Sequence, residues 1–325
     1  MRVVCKEHTN LAEPEKVEML INSVFRRDPT RTTMLRRRFV REMDRRFREL
    51  KRDIRISILD NDCFDIQPDV LRILSPAQAK AFEFMRDQDK VQAFMRWLEK
   101  QEEIGLLQMI DRPGLHATIE AAWSDVFIDS AYAQGMRRAR AELRKNGYPV
   151  PLFEDVPGGI RAVMNQPFHA DRVGVIFTRT FEDLKSVVQA ANGQIRRKIA
   201  DGLTTGLARG LAEGKNPRTI ARELVKDVAN RVDKIGITRA RMIARTEVIR
   251  AHHVATIAEY EQADKEMDVE VMAEFSTAGY EVCPICIDLA AGGPYKLEEI
   301  EGMIPAHPHC RCVALPVLKE PKTRR

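Results

Sequence analysis

Four cysteines and two histidines lie within thirty residues near the C-terminal end of the sequence. They form a Cys-x-x-Cys pair, Cys283 and Cys286, and a later cluster of His307, His309, Cys310 and Cys312. Zn²⁺ is bound tetrahedrally by thiolate and imidazole, and structural sites combine a Cys-x-x-Cys pair from a tight turn with a second pair from elsewhere in the chain. The spacing therefore predicts a metal site that ties two separate segments together.

Three other interpretations of these cysteines are open. Cys283 and Cys286 could form a redox pair of the thioredoxin type, the four thiols could form disulfides, or the side chains could be small buried apolar groups. Zinc is favoured because a redox pair does not need the second cluster and disulfide frameworks are typical of small secreted chains. The expected ligands are Cys283 and Cys286, together with one of Cys310 and Cys312 and one of His307 and His309.

The length of 325 residues predicts about two domains. No apolar run approaches the length needed to span a membrane, and the first residues lack the apolar stretch of a secretory signal. We therefore expect folding in a reducing cytoplasm, where thiols are available to metal. The predicted fold class is α+β, predominantly α-helical, with a small C-terminal β-containing subdomain stapled by zinc.

Positive charge is concentrated in residues 31–55, where eleven Arg or Lys residues against four Asp or Glu residues give a net +7. Apolar residues recur there at steps of three or four, which predicts an α-helix with one buried face. They are Leu35, Phe39, Met43, Phe47, Leu50 and Ile54. The arginines fill the other faces of this helix.

This basic helix has two interpretations. Its arginines could contact nucleic-acid phosphates or an acidic protein surface, or they could be solvated and pair with acidic residues three or four positions away. No aromatic residues interleave with them for base stacking, so a nucleic-acid contact would be independent of sequence. The candidate contact residues are Arg36, Arg37, Arg38, Arg41 and Arg45.

Helix and turn signals organise the rest of the chain. Prolines and glycines crowd into residues 149–159 and predict a boundary between an N-terminal helical domain, 1–160, and a C-terminal domain, 161–325. Asn216-Pro217 is a helix start, with asparagine as the cap and proline in the first turn. Other helices are predicted at 14–26, 76–102, 115–145 and 238–262, and strands at 269–275 and 312–317.

A set of motifs in the second half resembles a known family. It comprises Ile243-Ala244-Arg245-Thr246-Glu247, then Phe275-Ser276-Thr277-Ala278, the Cys283 and Cys286 pair, Pro305-Ala306-His307-Pro308 and finally Cys310-Arg311-Cys312. In order and spacing these motifs resemble the phage Mu protein F-like head morphogenesis family over about residues 216–317. Residues 28–30, ahead of the basic helix, are similar to what precedes this domain in some phage minor head proteins.

The resemblance implies a bacteriophage minor head protein that is not an enzyme, and that lies inside the virion head near the portal vertex. It implies a role in head morphogenesis and in DNA packaging or delivery, after assembly in the host cytoplasm. The implied partners are the portal protein, the major capsid protein and double-stranded DNA, with no membrane. The resemblance also makes His307 the preferred imidazole ligand and places Arg245 and Glu247 on a structural helix motif.

A metal-dependent nuclease or other DNA-processing enzyme is the alternative function. The Cys pairs beside histidines and the basic helix suggest it. Catalytic zinc keeps an open coordination position, which three thiolates and an imidazole would not leave. The nearby acidic residues are interpreted as solvated surface; they are Asp288, Glu298, Glu299 and Glu301.

Overall fold

The computed structural model describes residues 28–66, 89–110, 121–267, 270–277 and 282–318. These residues are mostly helical and carry two small antiparallel sheets. The helix predicted at 14–26 lies outside them, as do residues 76–88 of the one predicted at 76–102, whose remaining residues fall largely in a helix, Lys90–Gly105. Within this part of the chain, every helix is too short or too polar to cross a lipid bilayer.

The longer helices are α1 (Thr33–Arg55), α2 (Lys90–Gly105), α3 (Asp125–Lys145), α5 (Pro167–Asp201), α7 (Pro217–Arg231) and α8 (Thr238–Glu266). The shorter ones are α4 (Gly159–Met164), α6 (Leu207–Ala212), α9 (Pro284–Ala291) and α10 (Leu297–Ile300). Wider π-helical turns follow three of them, at Ile56–Asp60, Gly202–Gly206 and Val232–Ile237. The strands are β1 (Met109–Ile110), β2 (Ala121–Ala122), β3 (Val271–Ser276), β4 (Tyr295–Lys296) and β5 (Val313–Leu318).

The basic helix predicted at 31–55 is α1, and its amphipathic pattern is confirmed. All six of its predicted apolar residues are buried. Phe39 stacks on Phe127 of α3 with ring centroids 4.5 Å apart, and α1 also packs against α8. Burial of each large apolar side chain contributes roughly 1.5–3 kcal/mol, so this face fixes the orientation of the helix and turns its arginines outwards.

Helices α3 and α8 pack against each other more extensively than any other pair of helices in the described residues. Gly135 permits this approach, because a Cβ atom at that position would lie 2.2 Å from the carbonyl oxygen of His252. A buried ion pair joins the same helices, with Arg140 Nε 2.6 Å from Glu259 Oε2. Burial raises the pKa of Glu259 to about 7, against the opposing effect of Arg140. Removing one partner would leave a buried charge alone, so the pair fixes how the helices face each other.

The starts of two helices can be compared with those predicted from local sequence signals. The predicted start of α7 is confirmed, because Asn216 Oδ1 accepts a hydrogen bond from the Arg218 N–H at 2.8 Å. The helix predicted at 115–145 begins later than expected, at Asp125, and that part of the prediction is wrong. Ala121–Ala122 instead pairs with β1, and the carboxylate of Asp125 accepts a hydrogen bond from the Ala122 N–H.

The C-terminal subdomain is built on an antiparallel sheet in the order β4-β3-β5. The strands predicted at 269–275 and 312–317 are confirmed as β3 and β5, with Phe275 opposite Ala314. The short strand β4 was not predicted. The His253 ring donates from Nε2 to the carbonyl oxygens of Ile300 and Glu301, which ties α8 to this subdomain.

The main hydrophobic core extends from Leu35 on α1 to Ala255 on α8. It therefore contains residues from both sides of position 160. A second core lies between the C-terminal sheet, the end of α3 and the second half of α8. The division into domains 1–160 and 161–325 stays a prediction.

Candidate metal centre and basic face

The Cys-x-x-Cys pair lies at the start of a helix rather than in an isolated turn. Cys283 is the N-cap of α9, and its Sγ accepts a hydrogen bond from the Cys286 N–H at 3.4 Å. Pro284 occupies the first turn, where its missing N–H costs nothing. The backbone at the helix start therefore fixes the position of the Cys283 sulfur.

The second cluster is folded back by a tight turn. The N–H of Cys310 donates to the His307 carbonyl oxygen at 3.0 Å, with Pro308 and His309 between them. His309 has φ 68°, in the left-handed region. Proline at the second position and positive φ at the third are features of a type II turn. The turn brings the His307 imidazole and the Cys310 thiol to the same side of the loop.

The His307 ring is oriented towards the cysteine pair. Its Nε2 lies 3.2 Å from the Sγ atoms of both Cys283 and Cys286. Its Nδ1 is 2.8 Å from the carbonyl oxygen of Pro308, which can only accept a hydrogen bond. Nδ1 must therefore carry the proton, and the lone pair of Nε2 points at the sulfurs. This is the orientation that metal-binding histidines take.

A second group of donor atoms shares one cysteine with the first. In this group the thiols of Cys286, Cys310 and Cys312 are buried and lie within 4.8 Å of one another. The donor atoms of the first group, on Cys283, Cys286 and His307, also lie within 4.8 Å of one another. Hydrogen bonds from its two neighbours hold the pKa of the Cys310 thiol well below its usual range, and the same contacts raise the pKa of Cys286. Crowded sulfurs that share protons in this way are suited to a bound cation.

The arrangement could hold a metal ion, with Cys286 common to both groups. In a tetrahedral zinc site, bond lengths of about 2.3 Å to sulfur and 2.0–2.1 Å to nitrogen put ligand atoms about 3.5–3.8 Å apart, close to the spacing here. His309 lies apart from the sulfurs: it is exposed, and its Nδ1 is 3.5 Å from Arg245 Nη1. The four nearby acidic residues named above are exposed, and neither metal-capable group of the described chain includes one.

The arginines of α1 do not all have the same environment. Arg36 is bound to Asp28, and Arg45 pairs with both Glu42 and Glu49 at 2.6 Å. The interpretation as locally paired charges holds for Arg45. It does not hold for three exposed arginines that form no ion pair within the part of the chain the structure describes; these are Arg37, Arg38 and Arg41.

The two charged residues of the helix motif point to different neighbours. Glu247 is buried, and its Oε2 lies 3.1 Å from Arg250 Nε and 3.9 Å from Arg179 Nε on α5. Burial raises its pKa, and Arg250 partly opposes this effect. Arg245 instead reaches the Cys/His loop at His309. Glu247 therefore links α8 to α5, and Arg245 contacts the loop that contains His309.

Sequence reasoning did not find that Arg245 and Arg311 lie beside the N-terminal half of α1. Both line one cleft together with Arg36, Arg37 and Arg41. Arg245 and Arg311 are about two hundred positions or more from the three α1 arginines in sequence, so it is the packing of distant elements, such as α1 on α8, that brings them together. No local pattern in the sequence carries this information.

The fold and the donor cluster define a mostly helical protein with a Cys/His-rich antiparallel subdomain. Residues 201–315 match the model of the family described as Phage Mu protein F like protein. The segment runs from the end of α5 into β5 and includes the helix motif and all the candidate metal ligands. Over this segment, which is about a third of the chain, the protein is similar to the phage Mu protein F-like family. Neither a curated protein nor a solved structure matches the chain.

Proposed function

We propose that this protein is a minor head component of a phage, acting in head morphogenesis inside the virion at or near the portal vertex. Its proposed partners are the portal protein and the major capsid protein, which it joins in the host cytoplasm during assembly. The match of residues 201–315 to the phage Mu protein F-like family carries the proposal. A contribution to DNA packaging or delivery follows from a position beside the portal.

In this function the C-terminal subdomain is held together by one structural zinc ion. Four of the five donors would form a closed tetrahedral shell around the ion, with Cys286 as the donor common to both groups; the other candidates are Cys283, His307, Cys310 and Cys312. A closed shell leaves no position for a reactive water, so it favours a structural role over a nuclease. Plasmid cleavage that depends on added metal and is abolished by changing a single acidic residue would contradict this choice.

The exposed face of α1 is the proposed contact surface for double-stranded DNA or for the portal. Three of its arginines, Arg37, Arg38 and Arg41, have no internal ion partner in the described chain and are available to an external anion. Contacts to DNA phosphates release counterions, and contacts to an acidic protein surface are screened by salt. Binding through this face would therefore weaken steeply as salt is added.

The head function is tested by comparing phage particles assembled with and without the protein. We expect the protein to be found in purified virions in low copy number, and its loss to reduce the yield of DNA-filled heads. A low-symmetry reconstruction of the unique vertex would then locate it. Normal yields of filled, infectious heads, with no copy of the protein in the virion, would contradict the proposal.

The zinc proposal predicts about one equivalent of zinc per chain in protein purified without chelators. Cys286→Ser should abolish binding, because Cys286 belongs to both donor groups. Cys63→Ala is the matched control: Cys63 is also buried but lies on the connector after α1, and this variant should keep the metal. Mass spectrometry under native conditions measures both. Equal zinc content in the two variants would contradict the proposal.

A further inference from the structure

A cleft of about 530 Å³ lies between the N-terminal half of α1 and the Cys/His subdomain. Its charged lining consists of five arginines, Arg36, Arg37, Arg41, Arg245 and Arg311. No acidic residue of the described chain lines it, and only Arg36 has a carboxylate partner, Asp28. Like charges collected in one concave site repel each other, so the cleft is suited to an anionic ligand.

The basic surface continues beyond this cleft. Arg41 also lines a neighbouring cleft of about 550 Å³ together with Arg38 and Arg48, and in this second cleft Glu42 pairs with Arg45 and Arg46. Trp123 lines that second cleft too, but it is only 4 % exposed and its indole N–H donates to the Leu106 carbonyl oxygen. Phe127 also lines it, and its ring is stacked on Phe39. The surface therefore offers guanidinium groups beside two rings that are already packed against other side chains.

We propose that the five-arginine cleft binds consecutive phosphate groups of a nucleic-acid backbone, without selection of sequence. Guanidinium groups match phosphate oxygens with paired hydrogen bonds. A DNA strand presents a charge about every 3.4 Å, so it can follow a row of arginines through both clefts. Carboxylates on a folded protein are usually interspersed with cations and form such rows less readily. This inference deepens the proposed contact of α1 with DNA and adds Arg245 and Arg311 to it.

The test is fluorescence anisotropy of a labelled double-stranded DNA with the full-length protein over a series of salt concentrations. One variant changes the subdomain side, Arg245→Gln with Arg311→Gln, and a second changes the helix side, Arg37→Gln with Arg41→Gln. The control removes the same charge from exposed positions on α7, which do not line the cleft. It combines Arg218→Gln with Arg222→Gln.

Each cleft variant should weaken binding about tenfold or more and should lower the slope of log affinity against log salt by about 2, since each lost phosphate contact removes about 0.9. The control should bind like the unchanged protein. Unaltered DNA binding by the Arg245/Arg311 variant would overturn the proposal that the cleft binds DNA. If only the Arg37/Arg41 variant lost binding, the proposed contact of α1 with DNA would still hold.

Competition with unlabelled anions shows which class of anion the cleft binds. Unlabelled duplex of unrelated sequence should displace the probe at equal phosphate concentration, whereas inorganic phosphate and polyglutamate should need a large excess of charge. Displacement by inorganic phosphate as effective as that by duplex would assign the cleft to a free anion and overturn the proposal. Equal displacement by polyglutamate would assign it to an acidic protein and overturn the proposal as well.

Discussion

Glu102 is a carboxyl group buried between α2 and α5, where its Oε2 accepts a hydrogen bond from Asn192 Nδ2 at 2.7 Å. Burial raises the pKa of Glu102 to about 8, because a charged carboxylate loses its hydration there. Asn192 Oδ1 has no hydrogen-bond partner among the residues that the structure describes. The hydrogen bond from Asn192 Nδ2 favours the carboxylate and opposes part of the shift, so burial is what keeps Glu102 neutral.

The raised pKa gives this residue a defined effect on stability. The folded state keeps the proton between about pH 4.5 and 8, whereas the unfolded chain releases it, so stability is highest below this window and falls by about 1.4 kcal/mol per pH unit across it. Glu102→Gln keeps the neutral shape and should remove this part of the slope. Glu103→Gln, at the exposed neighbouring position, is the control. Urea unfolding at pH 5 to 8 measures the difference, and parallel curves for the two variants would contradict the prediction.

The turn from His307 to Cys310 contains most of the second cluster, and its two histidines have different structural roles. His307 contributes the ring that faces the sulfurs, whereas His309 contributes a left-handed backbone conformation with φ 68°. Glycine adopts this conformation without strain, and a β-branched residue does so only at a cost. The side chain of His309 is therefore expendable for the metal, but its backbone conformation is not.

Substitutions at the two histidines separate these roles. His309→Gly should keep the zinc and change the free energy of unfolding by no more than about 1 kcal/mol, whereas His309→Val should weaken zinc binding by straining the turn, at a cost of about 1–2 kcal/mol. His307→Ala should lose a ligand. Competition with a chromophoric chelator gives the zinc affinities. If His309→Gly lost zinc as completely as His307→Ala, His309 would be the ligand instead.

The elements that could be predicted from the sequence are those specified by neighbouring residues. The repeat from Leu35 to Ile54 gave α1, and the cap at Asn216-Pro217 gave the start of α7. The β1–β2 pair was missed, because two-residue strands have no period, and they are held by tertiary contacts such as the hydrogen bond from Trp123 to Leu106. The candidate metal ligands were local motifs, but the arginine cleft depends on how distant helices pack.

At the scale of the whole molecule, the described residues make extensive contacts across position 160. Helix α8 packs on α3 over the close approach at Gly135, and it also packs on α1. A bidentate ion pair joins Arg241 on α8 to Asp44 on α1, with Nε 2.6 Å from Oδ1 and Nη2 2.8 Å from Oδ2. Lys51 reaches Asp233 at 2.7 Å. The surface charges add little individually, so the buried faces hold the two halves together.

These contacts predict how the two halves behave when they are made separately. A fragment of residues 161–325 lacks α1 and α3, so the face of α8 that packs on them becomes exposed to water. We expect this fragment to bind a hydrophobic dye and to melt without a cooperative transition, although it should still bind zinc through the Cys/His loop. Adding a separate fragment of residues 1–160 should restore cooperative melting and suppress dye binding, because it returns the missing helix faces. Calorimetry of the fragments alone and mixed checks this, and a sharp transition of 161–325 alone near that of the full chain would instead establish two autonomous domains.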